Sequence, residues 1–230
     1  MSNWGLTGQN TIRLAASLVA VAAIAYITLR PSDKGVVAES VSDKPASAAV
    51  SELMEKGPLD ENIMGSASAP VIVIEYSSMT CGHCATFHKD VLPKLKEKYI
   101  DTGKVRYILR EFPLDDIARG ASMLARCVGP VRYFSFVDVL YAKQEEWAFT
   151  KEPLPELLKL AKQAGMTEER FNQCLTDQKL LDGINAVQER GQTKHKVRST
   201  PTIFVNGQML KGVRDISDLD KVIEPLLKSS

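Results

Sequence analysis

The sequence carries almost no excess charge. Its 230 residues hold 29 Lys and Arg against 28 Asp and Glu, a formal net charge of +1. Without a basic surplus, nothing electrostatic points to nucleic acid or to an anionic membrane surface as a partner. No internal repeat or long low-complexity tract stands out, so no repeat architecture is expected. Metal ligands are scarce as well. Apart from Cys81 and Cys84, the candidates are Cys127, Cys174, His88 and His195, and none forms the second close-spaced pair that a closed zinc site needs. A membrane-spanning helix takes about 20 apolar residues. The run that comes nearest, Leu14 to Leu29, has 16.

What is present is ordinary for a folded domain: 44% apolar and 25% charged residues, in a chain long enough for one sizeable core or one domain with a large insertion. The run from Leu14 to Leu29 sits between Arg13 and Arg30, and no acidic residue precedes Asp33. Three readings of residues 1–30 stay open. The segment is an uncleaved membrane anchor, a signal peptide cut near Ala23-Ile24-Ala25, or a buried helix. The first two export the rest of the chain, to the periplasm or cell envelope, and an anchor would associate with the inner membrane through residues 14–29. Arginines at both ends leave the orientation undetermined.

Residues 31–60 are expected to be a flexible linker, because the first twenty hold two prolines, four serines and few large apolar groups, too little to offset the entropy of ordering. An ordered N-terminal strand is the alternative there, and Ala46 to Lys56 could form a small helix.

The folded part opens with Val71-Ile72-Val73-Ile74-Glu75-Tyr76, the β-branched pattern of a strand buried on both faces. A helix is expected from Cys81 to about Tyr99, kinked at Pro93. Val105 to Leu109 reads as the second strand of a right-handed βαβ unit. Helical spacing then recurs over Ala118–Val128, Tyr133–Glu146, Leu154–Ala164, Glu168–Leu175 and Leu180–Thr193. Thr202 to Val205 and Gln208 to Lys211 form a hairpin about Asn206-Gly207. An amphipathic helix from Asp215 to Leu227 closes the chain, capped by Asp215 or Ser217. The expected architecture is α/β, a β-α-β … β-β-α order with an inserted all-helical domain of about 75 residues. The expected boundaries are 61–114 and 194–230 for the sheet domain and 115–193 for the insertion.

The chemistry concentrates in Cys81-Gly82-His83-Cys84. A cysteine opening a helix after a strand meets unpaired N–H groups and the positive end of the helix dipole, which favour its thiolate. Two intervening residues bring the second sulfur back within reach. Cys81 is therefore expected to attack and Cys84 to resolve from a buried position. His83 is expected to support the Cys81 thiolate, and Gly82 to loosen the loop. Half of a zinc site and an inert structural disulfide are the competing readings of the motif.

Together with Thr200-Pro201 ahead of Thr202-Ile203-Phe204-Val205, this motif resembles the thioredoxin superfamily, and within it the DsbA-like thiol–disulfide oxidoreductases of the bacterial cell envelope. The resemblance covers about Pro70 to Leu227 and implies a thioredoxin-like fold. In such proteins the proline matching Pro201 is cis and packs beside the active-site disulfide, and the residue matching Thr200 holds substrate as an added strand. Glu75, six residues before Cys81, matches an acid that lies beneath the disulfide and moves protons with Cys84; a glutamate pointing to solvent at the strand end is the alternative. A lone carboxylate buried there is costly to ionise.

The resemblance implies an enzyme with no cofactor beyond the Cys81–Cys84 disulfide. It would pass that disulfide to reduced, unfolded exported proteins and be reoxidised by a DsbB-like membrane quinone reductase. Gly82 and Thr200 depart from the best-known oxidases and are more like isomerases, so an isomerase or reductase kept reduced is the first alternative. An envelope metal-binding protein is the second. For Cys127 and Cys174, compartment and cysteine parity favour a structural disulfide, with two free thiols or a second redox relay as the other readings.

Overall fold

A computed structural model describes residues 37–39 and 46–229. The expected signal or anchor over residues 1–30 lies outside the described residues. Among those described, no helix is long and apolar enough to cross a membrane.

The strands form a mixed sheet in the order β1-β6-β5-β3-β4-β2. Its centre is β3 (Val71–Ser77), which pairs in parallel with β4 (Val105–Glu111) from Val71 opposite Val105 to Ser77 opposite Glu111. On its other side β3 pairs antiparallel with β5 (Thr202–Val205). The antiparallel partner of β5 is β6 (Gln208–Lys211). The short strands β1 (Val37–Glu39) and β2 (Asn62–Met64) extend the edges along β6 and β4. Asn206 and Gly207 both have positive φ, 43° and 88°, as a type I′ turn requires.

Strand periodicity decides which residues reach the site. Side chains alternate between faces, and Val71 and Val73 pack in one apolar cluster with Cys81, Cys84 and the inserted helices. Ile74 and Tyr76 pack in a second cluster with Leu53, Ile108, Phe112 and Phe204. Glu75 and Ser77 therefore share the face of β3 that carries the cysteines. On β4, Tyr107 and Leu109 point the same way.

The β3–β4 crossover is helical from Gly82 to Ile100 but not uniform. Helix α2 (Gly82–Thr86) widens into a π turn at Phe87–Val91, α3 (Leu92–Leu95) follows, and a second π turn spans Lys96–Ile100. Pro93 has no N–H to donate, and the first wide turn takes up that break, with the Leu92 N–H bonded to the Phe87 carbonyl. The interruption expected at Pro93 is thus a widened turn that begins one turn earlier.

The insertion comprises α4 (Asp116–Cys127), α5 (Tyr133–Ala142), α6 (Gln144–Trp147), α7 (Pro153–Gln163), α8 (Glu168–Leu175) and α9 (Gln178–Thr193). The expected single helix from Tyr133 to Glu146 is broken at Lys143, and the short α6 turns inward with Gln144 and Trp147 buried. The last helix, α10 (Ile216–Lys228), is capped by Asp215 and Asp218 in a capping box.

Residues 31–60 are not a linker throughout. Strand β1 lies within them, and so does α1 (Ala46–Met54). Apolar content was the wrong measure there, because arginines from elsewhere satisfy the end of α1. Arg110 Nη2 donates to the Leu53 carbonyl at 2.7 Å, and Arg190 donates to the carbonyls of Glu52 and Lys56 at 3.3 and 3.1 Å. Leu53 itself fills the second face of the sheet.

Candidate active site

Cys81 is the N-cap of α2, in extended conformation, and its Sγ accepts from the Cys84 N–H at 3.3 Å. The cap position points the sulfur at amide hydrogens the helix leaves unpaired. The same sulfur lies 3.4 Å from the Thr200 carbonyl oxygen, to which it donates when protonated. The Cys81 thiol is lowered from 9.0 to about 6, chiefly by the hydrogen bond from the Cys84 thiol, against the opposing effect of burial; the amides of Cys84 and His83 act in the same lowering direction. At neutral pH it is a thiolate, the nucleophilic form.

Cys84 is the opposite case. It is fully buried one turn later, and its pKa is raised well above the ordinary thiol value by burial first, then by its hydrogen bond to Cys81, then by the charge of Glu75. Both sulfurs are free thiols, so the structure shows the reduced pair.

The residues between them act differently from each other. The His83 imidazole is exposed, and residue 83 reaches the Cys81 sulfur through its backbone amide. The expected side-chain support is replaced by helix geometry. Gly82 is exposed, and a Cβ built on it would meet nothing within 4 Å.

Glu75 is 0% exposed, which rules out the solvent-facing reading. It is also not alone. Tyr107 donates a short hydrogen bond to Oε2, and His88 Nε2 stands 3.3 Å from the same oxygen. Burial alone would lower the His88 pKa, but Glu75 and Asp138 together lift it from 6.5 to about 9. The imidazole is therefore a cation at neutral pH, and the buried carboxylate has a charged partner. In the sequence His88 stood out only as a spare metal ligand. Its spacing of four from Cys84, which places both on one side of a helix, was the signal that could have found it. Tyr107 carried no comparable signal beyond its strand parity with Leu109.

The inserted helices hold the loop between β3 and α2. Tyr141 on α5 donates to the Ser78 carbonyl at 3.1 Å and shares a 2.8 Å hydrogen bond with the Ser77 hydroxyl. Gln144 on α6 donates to the carbonyls of Met79 and Cys81. Thr80 donates to Asp115, the N-cap of α4, at 2.6 Å. None of these partners was singled out in the sequence.

The Thr200–Pro201 peptide bond is cis. It places the Thr200 carbonyl beside Cys81, while the buried Thr200 Oγ1 has no hydrogen-bond partner. Cys127 and Cys174 are bonded to each other, tying α4 to α8. Among the described residues, no group of three or more His, Cys, Asp or Glu is gathered as metal ligands. His195 is engaged elsewhere, hydrogen-bonded through Nδ1 to Tyr76 at 2.6 Å on the other face of the sheet.

Residues 59–225 match the thioredoxin family profile. A Rickettsia bellii chain named, provisionally, a protein-disulfide oxidoreductase is 34% identical over 194 residues, covering 82% of this chain and 74% of that one. Disulfide bond formation protein D of Bacillus subtilis is 26% identical over 174 residues, covering 72% of this chain and 77% of that one. Among solved structures, alpha-DsbA1 of Wolbachia pipientis superimposes with a TM-score of 0.72 at 33% identity, covering 77% of this chain and 96% of that one.

Proposed function

This chain belongs to the thioredoxin family and to its DsbA-like thiol–disulfide oxidoreductases, and from that premise we propose that it works as an oxidase, introducing disulfides into exported proteins through the Cys81–Cys84 pair. The observation in favour of this reading is the asymmetry of the two sulfurs, one at the N-cap of α2 and the other fully buried a turn later. A Cys81 thiolate stabilised to about pH 6 stabilises the reduced enzyme and makes Cys81 a good leaving group, and both push its disulfide toward giving itself away.

In the cycle, a substrate thiolate attacks Cys81 Sγ and the Cys81–Cys84 bond breaks. Its electron pair leaves on Cys84, which takes up a proton. The substrate's second thiolate then attacks the substrate sulfur of the mixed disulfide, and Cys81 departs as a thiolate. Substrate has lost two electrons and the enzyme pair has gained them. The Thr200 backbone would hold the substrate segment as an added strand beside Cys81. A DsbB-type membrane quinone reductase would reoxidise the pair, with no cofactor on this chain.

Two features support a place in the cell envelope. The Cys127–Cys174 bond suits an oxidising compartment, and the uncharged run from Leu14 to Leu29 has the character of an export segment.

Equilibration with glutathione buffers tests the assignment. An oxidase requires a potential well above that of thioredoxin, which is about −270 mV. A value near thioredoxin's would reject it in favour of the reductase reading.

A further inference from the structure

The buried pair under the cysteines continues outward. His88 Nε2 faces Glu75 Oε2 at 3.3 Å, and on the other side of the ring Nδ1 faces Asp138 Oδ1 at 3.6 Å. The imidazole side chain is 2% exposed, whereas that of Asp138 is 61% exposed. Asp138 stands on the wall of a groove of about 890 Å³ that runs between the crossover helix and α5, with His88, Leu92, Phe134, Tyr141 and Glu145 among its lining. A chain of ionisable groups thus leads from beneath Cys84 to solvent at a groove that also borders Gly82 of the motif.

The geometry points to His88 as a positioning residue for proton delivery, carrying protons between the groove at Asp138 and Glu75 while Cys84 is formed or consumed.

This rests on the oxidoreductase reading and deepens it. Cys84 is fully buried, so when the Cys81–Cys84 bond breaks its sulfur has no direct solvent from which to take a proton. Its raised pKa requires one. The imidazolium gives its Nε2 proton to Glu75 Oε2, that carboxyl passes a proton on to Cys84, and the ring is recharged from solvent at the groove. When Cys84 resolves a mixed disulfide, the same proton travels outward.

Two features favour a conduit over a static buried ion pair. Both ring contacts are long for charge-assisted hydrogen bonds, which run about 2.7–2.9 Å. Both ring nitrogens and Glu75 Oε1 are buried without an aligned hydrogen-bond partner, an arrangement that leaves the ring unlocked at a cost in stability. The ionisable groups facing the ring are Glu75 from β3 and Asp138 and Tyr141 from α5. Tyr107 of β4 reaches it through Glu75, and Tyr141 stacks on it with ring centroids 4.3 Å apart. On its own turn Lys89 and Asp90 are exposed.

The test is the rate at which a dithiol peptide reduces the oxidised enzyme, followed by rapid mixing from pH 6 to 10 and normalised to the peptide's thiolate fraction. The wild-type rate falls as pH rises through about 9, where the imidazolium is lost. His88→Gln removes that step and lowers the rate at pH 7 by about tenfold, a modest share of what positioned proton transfer can contribute. Asp138→Asn withdraws one of the charges holding His88 protonated, so the fall moves to lower pH, together with the His88 ring titration followed by NMR. A merely structural histidine would leave the rate profile in place. If Asp138→Asn, at an exposed position, moves the ring titration and the rate profile stays on the wild type, the relay is overturned even should His88→Gln fail to fold. If wild type does not exchange with the peptide at all, it is the oxidoreductase reading that fails.

Discussion

Gln144, on the short inserted helix α6, donates its side-chain amide to the Met79 carbonyl at 2.8 Å and to the Cys81 carbonyl at 3.1 Å. The side chain is buried, and it pins the loop that aims the Cys81 sulfur. Replacing it with leucine keeps the volume but leaves the Met79 carbonyl without its donor, at a cost of about 1–3 kcal/mol, while the Cys81 carbonyl keeps the Ala85 N–H. Gln144→Leu should lower the thermal midpoint and raise the Cys81 pKa above about 6, read as thiolate absorbance near the far ultraviolet edge. A Cys81 titration identical to wild type would show that the cap geometry needs no help from the insertion.

The two shifted groups at the site impose opposite pH dependences on stability. Cys81 is depressed from 9.0 to about 6 in the reduced protein, so its contribution is present above the unfolded thiol value and is lost as pH falls through about 6. His88 is raised from 6.5 to about 9, so its contribution is present below 6.5 and is lost as pH rises through about 9. Only His88 acts in the oxidised protein, because the disulfide does not titrate. Oxidised protein should therefore lose stability between pH 6.5 and 9, while the reduced protein is compensated over the same range. Denaturant melts of both redox states at several pH values check this: the reduced-minus-oxidised difference must grow with pH. A difference that is flat from pH 6 to 9 would contradict the low Cys81 pKa.

The Cys127–Cys174 bond closes a loop of 47 positions between α4 and α8. Chain-entropy reasoning assigns such a loop about 4 kcal/mol, with wide scatter among measured cases. The double variant Cys127→Ala, Cys174→Ala should unfold at markedly lower denaturant with its exchange rate within about twofold of wild type, since neither cysteine is among the hydrogen-bond partners of Cys81 or Cys84. Loss of exchange in a protein that still folds would turn the bond from a brace into a second redox relay.

How far the sequence carried these features depends on the range of the interaction behind each one. The run Val71 to Tyr76 announced a central strand because both of its faces are covered, and the cysteine pair announced a site because helix-start chemistry is local. Asn206-Gly207 fixed its hairpin through backbone preference alone. Glu75 could be placed on the cysteine face by parity, but its partners His88, Tyr107 and Asp138 come from three other segments and were not legible as a group. The break at Lys143 was hidden too. Helical periodicity runs through it, and only the burial of Gln144 against the carbonyls of Met79 and Cys81 explains why the chain turns there. Over residues 46–54 the sequence offered a small helix only as an alternative to a linker, because its order comes from Arg110 and Arg190, far along the chain.

Arg110 shows how much hangs on one such distant side chain. It is 5% exposed and donates to Glu61, to the Tyr76 hydroxyl at 3.0 Å and to the Leu53 carbonyl at the end of α1. Removing one member of a fully buried ion pair costs about 3–5 kcal/mol, an upper bound here because the Glu61 carboxylate is partly exposed and regains water. Arg110→Ala should destabilise the protein within that bound. The loss should be local first, because α1 loses one of the donors to its C-terminal carbonyls, while the contacts from Arg190 and the packing of Leu53 and Met54 remain. Limited proteolysis should then cut between residues 46 and 60 well before the helical insertion is touched, and hydrogen exchange should speed up in α1 ahead of β3. Arg110→Lys restores the charge but not the forked geometry, so it should recover only part of the loss. Uniform exchange across the chain in Arg110→Ala would mean that α1 unfolds only with the whole molecule, and that its docking is cooperative with the sheet.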